Sequence, residues 1–271
     1  MDNLREGYIM RTVTTHNGIF HADEVTAIAL LEVFVEQTSV KRVPHQTKKF
    51  DTDFVIDIGK KFDGVSRFDH HQYKGGKSSA GLIWDSIEQS HNYREISTLV
   101  EMVDNHDTGV KKAAAFEFPS LISAYNHKNI YGAEQDEAFE KAVAFATVII
   151  KSLKDAQDEI STAERICEEA TLHSDTVFGG DTIAELHEFN MLWSSFFNGE
   201  KAPEVGAVMW FDPQQNLWKA QVTPKKKGSF EFNGRKFLPD DSMEFVHAAG
   251  FFAVAKTRGQ LVDFLINNRE A

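Results

Sequence analysis

A single cysteine, Cys167, leaves no partner for an intrachain disulfide and excludes a cysteine-rich zinc site. It stands in "AERICEEA", a helical pattern, and reads as a small buried hydrophobe. No run approaches the roughly eighteen apolar residues that a membrane-spanning helix needs, so no span is expected. The opening "MDNLREGYIMRT" has an acid at Asp2 and no apolar run, so it does not read as a signal peptide, and the expected setting is the cytoplasm. Basic residues are the minority, 29 Lys and Arg against 41 Asp and Glu, for a formal net charge of -12. That balance opposes non-specific adhesion to nucleic acid or an anionic membrane, although a local cationic groove or bound metal ions can reverse the sign. The one dense cationic run is "PKKKG" (Pro224 to Gly228), a solvated turn unless it meets a phosphate.

What remains is an ordinary globular composition, 42% hydrophobic and 26% charged, with 22 phenylalanines to fill cores. A chain of 271 residues suffices for one large domain or two modest ones. "YIMRTVT" (Tyr8 to Thr14) reads as a strand, "THNGIFH" as a loop broken at Asn17-Gly18, and "DEVTAIALLEVFVEQ" from Asp23 as a deeply packed helix. Asp23 and Glu24 suit the positive end of that helix's dipole. "FVIDIG" (Phe54 to Gly59) is a second strand. "SSAGLIWDSIEQS" (Ser78 to Ser90) is a helix with a serine cap, and "EISTLVEMVDNHD" a helix that ends at Asp104. Strands alternating with helices predict a parallel sheet. A long helical stretch follows, from about Asp136 to Thr171, with a break expected near Asp155. "EVGAVMWFD" and "LWKAQVTP" then form a hairpin through "PQQN", before "FVHAAGFFAVAKT" and a closing helix. The expected architecture is α/β. An N-terminal parallel-sheet domain (8–133) is joined by a helical connector (134–173) to a smaller C-terminal α/β domain (174–271).

Acids and histidines gather at the ends of the predicted elements. His16, His21 and Asp23 lie between the first strand and helix, Asp57 ends a hydrophobic strand, and Asp69-His70-His71 stand together in "RFDHHQ". In open α/β sheets such positions converge outside the carboxyl ends of the strands, and Asp104 can join them. Imidazole with carboxylate and no thiolate suits manganese, iron or catalytic zinc. The donors outnumber what one tetrahedral ion uses, which fits two ions roughly 3.5–4 Å apart sharing a carboxylate, Asp57 being the best placed. Each member also has a plainer reading: His16 beside Asn17 as a turn, Asp57 as a cap or salt-bridge partner, Asp69 to His71 as a solvated patch, and His106 as a surface residue.

"THNGIFHADEV", "FVIDIGKKFDGVSRFDHHQ", "KSSAGLIW", "VEMVDNHDTG" and "FVHAAGFFAVAKTRG", in that order along nearly the whole chain, resemble the MYG1 family. That family is similar to the DHH phosphoesterases, which include nucleases and inorganic pyrophosphatases. The resemblance implies an N-terminal DHH domain with a two-metal centre, usually manganese, and a C-terminal domain that closes over the substrate. Eukaryotic members are described as 3′–5′ RNA exonucleases. The implied metal ligands are His16, His21, Asp23, Asp57, His70 and Asp104, with His21 standing where the DHH pattern has its first aspartate. Asp69 is then the residue that orients a ligating imidazole, His71 faces the phosphate, and His247 matches a substrate-binding motif. Gly250 is alone where related enzymes show a glycine-rich stretch.

The chemistry that follows is attack of an activated water on phosphorus, with Arg67 or Lys77 offsetting charge on the phosphoryl oxygens and His247, Lys256 and Arg258 brought in by the second domain. The expected function is a metal-dependent phosphodiesterase, an exonuclease on RNA or short single-stranded nucleic acid. Manganese is the first choice of ion, and magnesium, iron and zinc are the alternatives. The competing readings are a hydrolase of a small phosphorylated metabolite or phosphoanhydride, and a binding protein that keeps the fold without catalysis. Trp210, Trp218, Phe230 and Phe232 could stack on bases, but their alternation in predicted strands assigns them to the core. No membrane partner is expected, and the sequence leaves the oligomeric state open.

Overall fold

The computed structural model describes residues 10–73, 75–178, 181–229, 231 and 236–267. The chain divides into two compact units, Met1–Ala156 and Gln157–Ala271.

The first unit is built on four parallel strands, β1 (Arg11–His16), β2 (Thr38–Val43), β3 (Phe54–Ile56) and β4 (Arg67–Phe68), in the order β2-β1-β3-β4. β1 to β2 runs outward through α1 (Ala22–Phe34), and the chain then returns to place β3 on the other side of β1. The direction of strand addition therefore reverses between β1 and β3, which opens a crevice at their carboxyl ends. α1 is buried on every side from Ala22 to Leu31, as its nearly continuous apolar sequence predicts. It packs among α2 (Ser79–Ser86), α3 (Arg94–Asp107) and α4 (Phe118–Ser123). Phe139, Val143 and Ile150 of α5 (Ala133–Glu168) complete the same core. Burial of aliphatic and aromatic side chains of this size contributes about 1.5–3 kcal/mol each.

The second unit is a six-stranded sheet in the order β5-β6-β7-β8-β10-β9. Its strands are β5 (Thr171–Phe178), β6 (Asp181–Leu186), β7 (Val205–Asp212), β8 (Leu217–Val222), β9 (Phe245–Val246) and β10 (Phe252–Ala255). β6 and β7 pair in parallel and the other neighbours antiparallel. The period of two along β7 sends Ala207 and Met209 to one face and Val208 and Trp210 to the other. α6 (Arg258–Asn267) covers the first face through Leu261, Phe264 and Leu265. Ile166 and Cys167 of α5 join the second, where burial pushes the Cys167 thiol up to about 11. Trp210 is core, stacked on Phe189, and Trp218 packs against the first face; Phe230 and Phe232 lie outside the described residues.

Several boundaries differ from the sequence reading, each for a local reason. β3 stops at Ile56 because Asp57 takes φ 56 and Gly59 φ 93, left-handed conformations that end a strand. α2 ends at Ser86, since Ile87 is already extended. α3 continues one turn past Asp104, to Asp107. α5 begins at Ala133 and has no break at Asp155. Two strands lie outside the sequence reading: β2, "TSVKRV", whose polar residues hide an edge strand that pairs residue for residue with β1, and β4, only two residues long. Among the described residues no helix is long and apolar enough to cross a membrane.

Candidate metal centre

His16 is the last residue of β1, Asp57 directly follows β3, and Asp69 directly follows β4. Three consecutive positions of the sheet thus deliver their side chains to one crevice. Asn17 and Gly18 turn the chain from β1 into α1, Gly18 at φ 88 with its outer side against the Tyr131 ring. That turn puts Asp23 and Glu24 in the first helical turn, facing the same crevice.

The distances describe a tight cluster. His16 Nδ1 donates to the Asn17 carbonyl at 2.9 Å, which presents Nε2 to Asp57 Oδ2 and to Glu24 Oε1, both at 3.2 Å. His70 Nε2 lies 3.3 Å from Asp57 Oδ1, 3.1 Å from Asp107 Oδ2 and 3.8 Å from Asp23 Oδ2. The two oxygens of Asp57 therefore serve different imidazoles, and Ser79 Oγ donates to Oδ1 at 3.1 Å. Asp69 accepts the Lys60 and His71 backbone N–H groups and binds His71 Nδ1 at 2.8 Å. Asp69 is buried, whereas the His71 side chain is 51% exposed. Three groups of donors are close enough to hold a metal ion: His16, His21, Glu24 and Asp57; Asp57, His70 and His71; and His21, Asp23 and Asp107.

The charges in the cluster suit a cation. Both oxygens of Asp23 are buried without a hydrogen-bond partner, a costly arrangement for a carboxylate. Burial, and then the adjacent Asp57, Glu24 and Asp107, hold its pKa well above the usual carboxylate range. Burial would lower the imidazoles of His16 and His70. Bonds to Asp57 and Glu24 in one case, and to Asp107 and Asp57 in the other, outweigh it and raise both to about 10. Burial opposes ionisation of Asp57 too, yet the His16 and His70 bonds bring its pKa below the usual range. Raised imidazoles beside a lowered carboxylate are the donor pattern that a divalent ion at the same atoms would satisfy. The donors, imidazole and carboxylate with an orphaned buried acid among them, fit such an ion.

The structure brings together His16, His21, Asp23, Asp57, Asp69, His70 and His71. It places Asp104 elsewhere. Asp104 Oδ1 accepts from Ser78 N at 2.9 Å, Ser78 Oγ at 2.6 Å and Gly81 N at 3.1 Å, so this carboxylate caps the start of α2. A Cβ at Gly81 would collide with it, which makes that glycine the residue that admits it. Asp107, one turn on, reaches the crevice instead. Glu24 also belongs to the cluster rather than only to the helix dipole. His45, in the loop after β2, stacks on the His16 ring at 4.4 Å and 19°. His106 Nδ1 accepts the Ala113 N–H at 3.0 Å and closes a loop.

The expected substrate cations are engaged. Lys77 pairs with Asp85, Lys256 with Glu244 at 3.0 Å, and the Arg67 guanidinium lies over the Phe50 ring at 4.5 Å. Arg258 forks onto Glu185 at 2.9 and 2.6 Å, with His173 on the same carboxylate at 2.7 Å. In the second unit, His247 packs its ring on Phe251 at 4.2 Å, and its Nδ1 accepts the Ala249 N–H. Gly250, at φ 73, has a backbone role: a Cβ there would stand 2.7 Å from the Phe237 carbonyl. Arg258, and then His173, hold the Glu185 carboxyl below its usual range. A lowered acid stabilises the fold above its unfolded pKa and loses that contribution as pH falls through the folded value. Glu185→Gln is expected to cost about 1 kcal/mol at neutral pH, the half-exposed guanidinium keeping the figure low. Its melting temperature should converge on that of the wild type below about pH 4; thermal melts across pH check this.

A family model named MYG1_exonuc, described as Uncharacterised protein family (UPF0160), matches residues 12–266. The chain belongs to the MYG1 family. It is similar to the MYG1 protein of Chlamydia trachomatis, 37% identical over 160 residues, covering 54% of this chain and 55% of that one. The MYG1 protein of Saccharomyces cerevisiae is 25% identical over a 315-residue alignment covering 92% of each. The human protein named MYG1 exonuclease is 26% identical, covering 91% of this chain and 82% of its own. The matches span little more than half the length of the chlamydial MYG1 proteins.

Proposed function

We propose that this MYG1-family protein is a metal-dependent phosphodiesterase acting as an exonuclease on RNA or short single-stranded nucleic acid, with its 3′–5′ polarity suggested by the family resemblance. The observation that supports this most is Asp57. It is a buried carboxylate at the switch point of the sheet, its two oxygens facing different imidazoles with acids on both sides. Such a residue suits a bridge between two ions, one held by His16 with Glu24 or His21 and the other by Asp23, His70 and Asp107. The name of the human relative supports the nucleic-acid substrate. In this reading 8–133 is a DHH-like domain, 134–173 a connector, and 174–271 a substrate-binding domain carrying His247.

When bound, two divalent cations, manganese first, lower the pKa of a water and offset charge on the phosphoryl oxygens. The chain's own residues do the rest. Asp69 fixes the His71 ring through Nδ1, leaving Nε2 to hold a phosphate oxygen or to protonate the leaving oxygen. The Asn17 carbonyl fixes His16 in the same way, so that Nε2, turned toward Asp57 and Glu24, would be free to hold an ion. Asp104 holds the start of α2, and with it Ser79, against Asp57.

The test is turnover of RNA oligomers labelled at either end, beside a panel of small phosphate esters, with Mn²⁺ added to the full chain. Stepwise loss of 3′ nucleotides is expected. His71→Ala should keep its metal and lose turnover, by about a hundredfold for a lost general acid, while His70→Ala should lose metal. Hydrolysis confined to small esters would select the metabolite reading, and no hydrolysis of either class the binding-protein reading.

A further inference from the structure

The loop from Pro44 to Phe50, "PHQTKKF", has no role in the centre described above, yet both its ends are fixed at it. At one end the exposed His45 stacks on His16. At the other Phe50 lies under the Arg67 guanidinium, and a Cβ at Gly59 would stand 3.2 Å from the Phe50 ring. A turn closed by Thr47 N–H donating to the Pro44 carbonyl shapes the segment between. Lys48 and Lys49 therefore lie between two anchors that flank His16, Asp57 and Asp69. Lys60, next to Gly59, adjoins the second anchor. All three lysines are exposed and make no ion pair among the described residues. They stand out in a chain of net charge -12 beside a crevice lined with carboxylates. A nucleic-acid strand entering that crevice carries phosphates beyond the scissile one, and Lys77, Lys256 and Arg258 already hold carboxylates.

We propose that the 44–50 loop, through Lys48 and Lys49 with Lys60 beside them, is the track that holds the non-scissile phosphates of a single-stranded nucleic acid. This rests on the nuclease reading. A point charge on a flexible stem suits a backbone of any sequence, so the track gives affinity without base preference. His45 shields the outer face of the His16 ring and marks where the track meets the centre.

The experiment compares the wild type and a Lys48→Ala/Lys49→Ala variant, both as full chains in Mn²⁺, on a labelled RNA oligomer and on bis(nitrophenyl) phosphate over a range of salt. Each phosphate contact releases counterions, so the variant should lose about tenfold in kcat/KM on the oligomer, and its log–log salt slope should fall by about 1.4 for two contacts. Turnover of the small diester, which has no second phosphate, should not change. Neither lysine is packed, so equal melting temperatures verify the fold. An unchanged oligomer rate and salt slope would overturn the track and leave the nuclease reading standing. Equal losses on both substrates would also overturn it, by placing the lysines at the reacting phosphate. Wild-type turnover of the diester without cleavage of any oligomer would overturn the nuclease reading and the track together.

Discussion

Asp57→Ala is expected to abolish tight binding of both divalent ions and to lower kcat/KM by at least about a thousandfold, or about 4 kcal/mol of transition-state stabilisation. The reason is geometric. Asp57 is held at φ 56 where β3 meets its turn, with Oδ2 on His16 and Oδ1 on His70 and Ser79. A residue that serves both halves of a centre takes both away when removed. The variant should still fold, because His16 keeps Glu24 and His70 keeps Asp107 as partners. Equilibrium dialysis against Mn²⁺, with circular dichroism as the fold control, reads the result. Two ions retained per chain would remove Asp57 from the bridging role and move the centre toward Asp23 and Asp107.

Asp23→Asn should stabilise the metal-free protein and abolish its stabilisation by Mn²⁺. The Asp23 carboxyl is fully buried, has no hydrogen-bond partner, and faces Asp57, Glu24 and Asp107, so its pKa is raised. Folding favours the protonated form, so metal-free stability is undiminished below the unfolded pKa and declines as pH rises above it. Asparagine keeps the shape and cannot ionise. At neutral pH the metal-free variant is therefore expected to melt higher than the metal-free wild type by on the order of 5 °C. The gap should close toward about pH 4, the ordinary aspartate range. With Mn²⁺ the wild type should gain stability by mass action and the variant should not. Differential scanning calorimetry with and without Mn²⁺ checks both halves. A metal-free variant less stable than wild type would show that the Asp23 carboxylate is stabilised by the protein itself.

Most of this centre is legible in the chain because its residues sit at transitions between elements. His16 and Asp57 each follow an apolar or β-branched run, and a parallel sheet sends such ends to one side; Asp69 follows the two-residue strand Arg67–Phe68, which no such run announces. The hairpin of β7 and β8 is equally local, a turn signal between two strands, with Asn216 at φ 54 in the turn. Asp104 and Asp107, the second of which the sequence does not single out, show where local reading stops. Both acids are on α3, three residues apart and so near one face. Only the packing of α3 on α2, admitted by Gly81, determines that the earlier one caps a helix and the later one reaches His70. In the sequence Glu24 points only to the dipole of its own helix, because its partner His16 comes from the preceding strand. His45 depends on β2, whose polar residues do not announce a strand, so the position of the loop beyond it follows only from the assembled sheet. Lys77, Lys256 and Arg258 have the right charge for phosphate, and their carboxylate partners follow from packing.

A pair of divalent ions bridged by Asp57 is read out by electron paramagnetic resonance of the Mn²⁺-loaded full chain. Two ions roughly 3.5–4 Å apart through a shared carboxylate should give an exchange-coupled spectrum at two equivalents of Mn²⁺ per chain, lost in Asp57→Ala. The uncoupled spectrum of isolated Mn²⁺ at saturation, or saturation at one equivalent, would rule out a bridged pair.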